Sequence, residues 1–258
     1  MSPVEVHHEV EGPEDAPVVL LSNSLGSTYA MWDPQVAALA ERFRVVRYDT
    51  RGHGGSPVPP GPYTIDDLVD DVVALLDRLE VQRAHVVGLS LGAMTAMRLA
   101  AREPERVDRL VLLCTGARLE PVSGWTDRAA TVRAHGTAAV AGPVVERWFT
   151  TAFLEAHPTD RARYEAMVAA TPAEGYAGCC EVIAAMDLRP DLSSITAPTL
   201  AIAGADDPAT PPSHLEQIAA AVQDGRLLVV PDAAHLANVQ QPGTITPATI
   251  EHLTRENA

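Results

Sequence analysis

The sequence predicts an α/β fold in which a mainly parallel central sheet is covered by helices on both faces. Short, nearly continuous apolar runs recur along the 258 residues, as is typical of strands buried on both faces. Segments of helical period lie between these runs, and strands that alternate with helices form parallel sheets. We expect strands at residues 18–22, 44–49, 84–90, 109–114, 199–204 and 226–230.

Two predicted helices begin with recognisable capping patterns. Asp33 precedes Pro34, which predicts an N-cap followed by proline at the first helical position. Thr64 is followed three residues later by Asp67, which is the spacing of a capping box. We therefore expect one helix to start after Asp33 and another after Thr64.

The alternation of strands and helices stops after Cys114 and resumes near Thr199. The intervening pattern predicts several consecutive helices. A helical insertion between two strands is typical of a cap. We place this cap at residues 118–192 and the core at residues 1–117 and 193–258.

Composition and charge exclude several classes of function. The formal net charge is −15 and the basic residues form no run, which argues against a nucleic-acid-binding surface. No apolar stretch is long enough to span a membrane, and the N-terminus lacks the pattern of a signal peptide. Cys114, Cys179 and Cys180 match neither metal-site spacing nor a disulfide framework, so we expect reduced thiols in a cytoplasmic protein.

A candidate nucleophile lies between a predicted strand and a predicted helix. Ser90 is the centre of the pattern Gly88-Leu-Ser-Leu-Gly92, which follows the apolar run at 84–87. This context is the one that a nucleophile elbow requires, and a helix N-terminus favours developing negative charge. The alternative interpretation is a serine N-cap. We predict that Ser90 is a catalytic nucleophile.

Candidate acid and base residues follow the last two predicted strands. The first of these loops contains Asp206 and Asp207, and the second contains Asp232 and His235. In this kind of fold the catalytic residues follow the chain order serine, acid, histidine. His235 would accept the proton of Ser90, while the acid would hold its tautomer. No metal or organic cofactor is needed for such chemistry.

Two backbone N–H groups are candidates for an oxyanion hole. Leu91 directly follows the nucleophile, and Leu25 lies in the turn after the first predicted strand, next to Gly26. The alternative for the second is an ordinary strand-to-helix turn. The other histidines that we considered are expected to be structural or exposed: His53, His85 and His135.

The motifs around these positions resemble the α/β-hydrolase superfamily over nearly the whole chain. They are DTRGHGGS, GLSLG, GADDPATPP and DAAHLAN. Within that superfamily the chain is most similar to 3-oxoadipate enol-lactonases of the β-ketoadipate pathway, on the strength of NSLG, CTGARL, GWTDRAATVRAHG and ATPAEGYAGCCEVIAAMDLRPDL. Gly116 departs from this pattern, because a small hydroxyl residue is expected there.

The resemblance implies an α/β-hydrolase fold with the cap inserted after the strand that the family numbers sixth. It favours Asp207 over Asp206 as the acid, because the family pattern has an aspartate three residues after Gly204. It also implies hydrolysis of 3-oxoadipate enol-lactone, a small anionic lactone, through an acyl-enzyme on Ser90.

The cap supplies candidate substrate-binding residues under this interpretation. Trp125 would form an apolar wall, and Arg128 or Arg133 would pair with the substrate carboxylate. For each arginine the alternative is a solvated helix face.

Two other interpretations of the chain stay open. A related enzyme such as a carboxylesterase, a biosynthetic lactonase, a C–C bond hydrolase or a cofactor-free haloperoxidase-like perhydrolase would share the fold and the triad. A ligand-binding module could also keep the fold without the activity. The sequence leaves the oligomeric state open.

Overall fold

The computed structural model describes residues 1–255 and contains a seven-stranded sheet. The strands are β1 (His8–Glu11), β2 (Val18–Ser22), β3 (Arg44–Tyr48), β4 (Ala84–Leu89), β5 (Val107–Leu113), β6 (Thr199–Gly204) and β7 (Gly225–Val230). Their order in the sheet is β1-β3-β2-β4-β5-β6-β7. β1 pairs with β3 in the antiparallel direction, and the other neighbours are parallel.

Helices connect the parallel strands, and two more follow the last strand. They are α1 (Asp33–Ala40), α2 (Ile65–Arg78), α3 (Leu91–Arg102), α4 (Val122–His135), α5 (Ala138–Trp148), α6 (Thr151–Ala156), α7 (Pro158–Ala169), α8 (Ala173–Ala185), α9 (Pro212–Ala221), α10 (Ala237–Gln240) and α11 (Pro242–Thr254). The fold class is α/β, as predicted. Helices α4 to α8 follow one another between β5 and β6, in the segment for which we predict a cap. The division into core and cap remains a prediction.

All six predicted strands are present, and in the five that precede β7 most residues are buried, whereas Leu227 and Val229 of the edge strand β7 are exposed. β2, β4, β5 and β6 occupy neighbouring positions in the middle of the sheet, and every residue of β4 and β6 is buried. β1 was not predicted. Its sequence, HEVE, has one apolar residue, and it lies at the sheet edge where only partial burial is possible.

The two predicted helix caps have different outcomes. At α2 the capping box is confirmed, since the backbone N of Thr64 donates to Asp67 Oδ2 at 2.8 Å and the Thr64 hydroxyl accepts from Asp67 N at 3.2 Å. The predicted cap at Asp33 is wrong. Asp33 is already the first helical residue, and its carboxylate instead pairs with Arg47 and Arg163, at 2.8 and 2.9 Å.

The described residues contain three cysteines, all free and buried. No helix in this part of the chain combines the length and the apolar character needed to cross a bilayer.

Candidate active site

Ser90 occupies a strained turn between β4 and α3. Its backbone has φ 56° and ψ −115°, and positive φ is uncommon for a residue with a side chain. Strand β5 and the residues after it hold the turn: Ser90 N donates to Leu113 O at 2.9 Å, and the Thr115 hydroxyl donates to Ser90 O at 2.9 Å. Strain of this kind persists where surrounding contacts fix it, and it is concentrated at functional sites.

The turn has no room for a side chain at either of its two glycines. A Cβ atom on Gly88 would lie 2.5 Å from Gly92 O, and one on Gly92 would lie 2.2 Å from the backbone O of Ser22. Strand β4, helix α3 and strand β2 therefore approach closely only because both side chains are absent. This approach places the Ser90 side chain at the carboxyl edge of the sheet.

His235 and Asp207 are hydrogen-bonded to each other in the loops after β7 and β6. His235 Nδ1 lies 2.8 Å from Asp207 Oδ2. Both residues are almost fully buried. Because a carboxylate only accepts, the proton lies on Nδ1, and His235 Nε2 keeps a lone pair that can accept a proton.

The Asp207 carboxylate accepts hydrogen bonds at both oxygens. Oδ1 accepts from the backbone N of Ala209 at 2.8 Å and of Thr210 at 3.1 Å, and Oδ2 also accepts from the Thr210 hydroxyl at 2.6 Å. Burial acts to raise the pKa of Asp207, but the His235 charge and the hydrogen bonds from His235 and Thr210 lower it to about 2.

The lowered pKa of Asp207 has a consequence for stability. A carboxyl group whose pKa falls on folding stabilises the folded protein above its unfolded pKa of about 3.9. This contribution is lost as the pH falls toward about 2. At neutral pH the group is ionised.

The other acids near these loops are placed differently. Asp206 is exposed to solvent. Asp232 is also exposed, has φ 52°, and its carbonyl accepts from Gln241 at 3.1 Å, which is the environment of a turn residue. Of these three aspartates, Asp207 alone is bonded to the imidazole of His235.

Ser90 and His235 line one cavity of about 210 Å³ between the sheet edge and helices α4, α5 and α8. Thr210, whose hydroxyl donates to Asp207, lines the same cavity. Sequence reasoning missed Thr210. Part of its signal was present, because an aspartate in a turn commonly accepts hydrogen bonds from backbone N–H groups a few residues later.

The two candidate oxyanion donors lie in suitable segments. Leu91 is the first residue of α3, and the first N–H groups of a helix have no partner within the helix. Leu25 lines the cavity, in the loop after β2. Gly26, the next residue, has φ 79°, and a Cβ there would lie 2.8 Å from the ring of Tyr176. The loop thus fits closely under helix α8.

Comparison with known proteins identifies the family. The α/β hydrolase fold family matches residues 17–242. The chain belongs to the α/β-hydrolase family. A 3-oxoadipate enol-lactonase 2 of Acinetobacter baylyi is 38% identical to this hydrolase, over 98% of this chain and 95% of the relative. A 3-oxoadipate enol-lactonase 1 of the same organism is 39% identical, over 91% and 87%.

A solved structure is similar to the whole hydrolase. The enol-lactonase from Burkholderia xenovorans LB400 is 42% identical to this chain and superposes with a TM-score of 0.96. The match covers 98% of this chain and 97% of that one. The hydrolase therefore shares its architecture, including the inserted helices, with an enol-lactonase.

Two guanidinium groups line the cavity of the hydrolase. Arg128 on α4 lies over the ring of Trp125, with Cζ 4.6 Å from the ring centroid, and both residues line the cavity. Arg147 on α5 lines it too and was not predicted. Burial, and then the neighbouring charge of Arg128, lower the pKa of Arg147. The cavity thus has two guanidinium groups and one carboxylate, that of Glu120, in its lining.

Arg133, the other predicted carboxylate-binding residue, lies outside the residues that line this cavity. Its guanidinium pairs with Glu174 at 2.9 Å and also with Glu181, on the adjacent helix α8. The hydrogen bonds that Arg133 donates to these two carboxylates raise the pKa of Arg133. Arg133 therefore links α4 to α8, and two carboxylates already neutralise its charge.

The remaining histidines lie away from the cavity lining. His85 is buried beside Phe43, with the ring centroids 5.6 Å apart, and His135 is exposed at the end of α4. His53 is buried and its Nε2 accepts from the backbone N of Gly26 at 2.9 Å.

Proposed function

We propose that this hydrolase converts 3-oxoadipate enol-lactone to 3-oxoadipate, with Ser90, His235 and Asp207 as a catalytic triad. The observation that carries the proposal is the pair of arginines, Arg128 and Arg147, in the cavity that also contains Ser90 and His235. The similarity to enol-lactonases over the whole chain supports the same substrate. Three free, buried cysteines support a cytoplasmic location.

The arginine pair argues for an anionic substrate. Within residues 1–255 no ion pair is formed by Arg128 or Arg147, although the protein carries a large excess of acidic residues. Glu120, which also lines the cavity, is paired with Arg118 at 2.8 Å. Two like charges in a half-buried site repel each other, so a bound carboxylate would stabilise both.

The size and lining of the cavity suit a small ring. Its volume of about 210 Å³ is below the range typical of drug-sized ligands. Trp125, Trp148 and Val144 provide apolar surface on the side away from the sheet. A lactone ring can lie against this surface while its carboxylate reaches the arginines.

Acylation begins with the attack of Ser90 Oγ on the ring carbonyl. His235 Nε2 takes the hydroxyl proton, and Asp207 stabilises the resulting imidazolium through Nδ1. The N–H groups of Leu25 and Leu91 donate to the oxyanion. When the ring C–O bond breaks, the enol oxygen takes the proton from His235, and the leaving group stays attached to the acyl chain.

Deacylation uses the same groups in reverse. Water loses a proton to His235 Nε2 and attacks the ester carbonyl, and Ser90 regains its proton as the acid leaves. An enol is a better leaving group than an alkoxide, so ring opening needs little help from the general acid. Tautomerisation of the released enol to the ketone makes the overall step effectively irreversible.

Helices α4 to α8 are proposed as the cap of this site. They carry the arginines and both tryptophans of the cavity, whereas the sheet edge carries Ser90 and His235. Selectivity would then reside in the cap and chemistry in the core.

Replacing Arg147 with methionine is expected to raise KM for the enol-lactone. Hydrogen bonds to charged groups contribute about 1.5–3 kcal/mol, which corresponds to roughly a 10- to 100-fold increase. KM for neutral 4-nitrophenyl acetate should change little, because that ester has no carboxylate. Steady-state kinetics on both substrates, with the lactone followed by its ultraviolet absorbance, measures the difference. Arg128→Met should behave in the same way.

Arg133→Met is the matched control for this experiment. It removes the same charge from the same helix as Arg128→Met, but at a site paired with glutamates outside the cavity. It should lower stability and leave the ratio of the two KM values unchanged. Equal losses on lactone and acetate in the Arg147 variant would contradict the carboxylate-binding role.

A further inference from the structure

The ring of His53 joins two backbone segments, one of which contains Leu25 of the cavity lining. Nε2 accepts from the backbone N of Gly26 at 2.9 Å, and Nδ1 lies 3.2 Å from the carbonyl of Arg51. Because a backbone N–H only donates, Nε2 must carry the lone pair, and Nδ1 must carry the proton and donate to Arg51 O. Burial lowers the pKa of His53, which keeps this neutral tautomer at neutral pH.

The bonded N–H belongs to the peptide next to the proposed oxyanion donor. Gly26 follows Leu25, so only the φ and ψ angles of Leu25 separate the two N–H groups. The other peptide is also fixed: Ser24 O accepts from the Ser27 hydroxyl at 2.7 Å and from Ser27 N at 3.2 Å. In a trans peptide the carbonyl and the N–H point in opposite directions. Because the Ser24 carbonyl points toward Ser27, the Leu25 N–H of the same peptide points away from Ser27.

The loop has little freedom on its other side. The carbonyl of Gly26 accepts from the Thr171 hydroxyl at 3.4 Å, and Tyr176 packs against Gly26 so closely that a Cβ would lie 2.8 Å from its ring. Tyr176 also lines the cavity. Gly26 is thus held by His53 at its N–H, by Thr171 at its carbonyl and by Tyr176 beside its α-carbon.

We propose that His53 is a positioning residue for catalysis: by accepting the N–H of Gly26, it holds the N–H of Leu25 toward the oxyanion formed at Ser90. The inference rests on the proposed acyl transfer at Ser90 and goes beyond it. It does not depend on which ester is the natural substrate. His53 touches neither substrate nor nucleophile and acts only through the backbone.

Two substitutions separate this role from packing. In His53→Gln the amide oxygen can reach the position of Nε2 and accept from Gly26. In His53→Asn the shorter amide can reach only the position of Nδ1, so it keeps the bond to Arg51 O and leaves Gly26 N–H without an acceptor. Both variants remove the ring, and they differ in whether the Gly26 N–H keeps a hydrogen-bond acceptor.

The Asn variant is expected to lose about 10²-fold in kcat on 4-nitrophenyl acetate, the lower end of the cost of one oxyanion donor. KM should change little, and the Gln variant should recover most of kcat. Phenylboronic acid, which forms a tetrahedral adduct with a serine nucleophile, should bind the Asn variant correspondingly more weakly, while adipate, a planar carboxylate ligand, should bind as before. Thermal unfolding monitors the fold of each variant.

The outcomes are distinct. Equal kcat and boronate affinity in the Asn variant and the wild type, or equal losses in the Asn and Gln variants, would overturn the positioning role. Activity on the acetate without activity on the lactone would overturn the proposed substrate and leave this inference standing. If the Asn variant does not fold, ¹⁵N NMR of the wild-type imidazole decides: a proton on Nε2, or a charged ring at neutral pH, contradicts the inference.

Discussion

Replacement of Ser90 with alanine is expected to lower kcat on the enol-lactone by about 10⁵- to 10⁶-fold, since removing the nucleophile of a triad costs about as much as removing all three members. The oxyanion donors and the arginines remain, so substrate binding should be retained while the covalent route is lost. The measurement is the loss of ultraviolet absorbance of the lactone. On 4-nitrophenyl acetate the wild type should form an acyl-enzyme on Ser90, detectable by mass spectrometry, and the variant should not.

The Ser90→Ala protein should fold normally. The bonds that fix the turn involve the backbone N and O of residue 90, which alanine retains. Ser123→Ala on the exposed surface of α4 is a suitable control, because it makes the same chemical change away from the turn. If Ser90→Ala kept more than a small fraction of wild-type activity in a preparation where the control was normal, another nucleophile would have to be sought.

The core of the fold could be predicted because burial on both faces leaves a clear mark in the sequence. A parallel strand such as β6 is expected to be nearly continuously apolar, and TLAIAG is so after its first residue, Thr199. β1 leaves no such mark, since an edge strand needs only partial burial. The helix start at Asp33 was misjudged for a different reason. Its carboxylate pairs with arginines distant in sequence, and local patterns do not report such partners.

The candidate triad residues could be predicted from their order along the chain. Residues whose place in the site depends on packing were harder to predict. Ser90, Asp207 and His235 were selected from loops at the carboxyl ends of strands, and the structure brings Asp207 and His235 into hydrogen-bonding contact. The sequence alone did not exclude Asp206 as the catalytic acid. Two adjacent aspartates in a loop have the same chemistry and differ only in the direction of their side chains. Their roles in catalysis stay predictions until the variants are measured.

The cap residues illustrate what sequence reasoning cannot reach. Arg128 and Arg133 are five positions apart, which is about 140° around a helix, so both cannot face one small cavity. This geometry limits the choice to one of the two without saying which. In the structure Arg133 pairs with Glu174 and Glu181, which lie on one face of α8, whereas Arg128 lines the cavity. That Arg128 binds a carboxylate stays a prediction. Arg147 was missed because its direction depends on how α5 packs.

Asp207→Asn is a specific test of the proposed mechanism, although asparagine has nearly the same shape as aspartate. The hydrogen bonds around residue 207 fix the direction in which the amide points. Two backbone N–H groups, from Ala209 and Thr210, donate to Oδ1. An asparagine amide must therefore place its oxygen at this position and its NH₂ group toward His235. The Thr210 hydroxyl can rotate to accept from that NH₂ group. The same NH₂ group also donates to His235 Nδ1. Nδ1 must therefore be unprotonated, and the imidazole proton lies on Nε2.

That tautomer cannot take a proton from Ser90, so we expect kcat of Asp207→Asn to fall by about 10⁴-fold with little change in KM. Asp206→Asn, which removes the same charge from the exposed neighbouring residue, should be nearly normal. Since the pKa of Asp207 is lowered to about 2, acidification from neutral pH to about 4 does not reproduce the substitution. Activity lost over that range would arise from groups other than the Asp207 carboxylate. Near-normal turnover by Asp207→Asn, or an equal loss in Asp206→Asn, would mean that the carboxylate of Asp207 does not set the tautomer of His235.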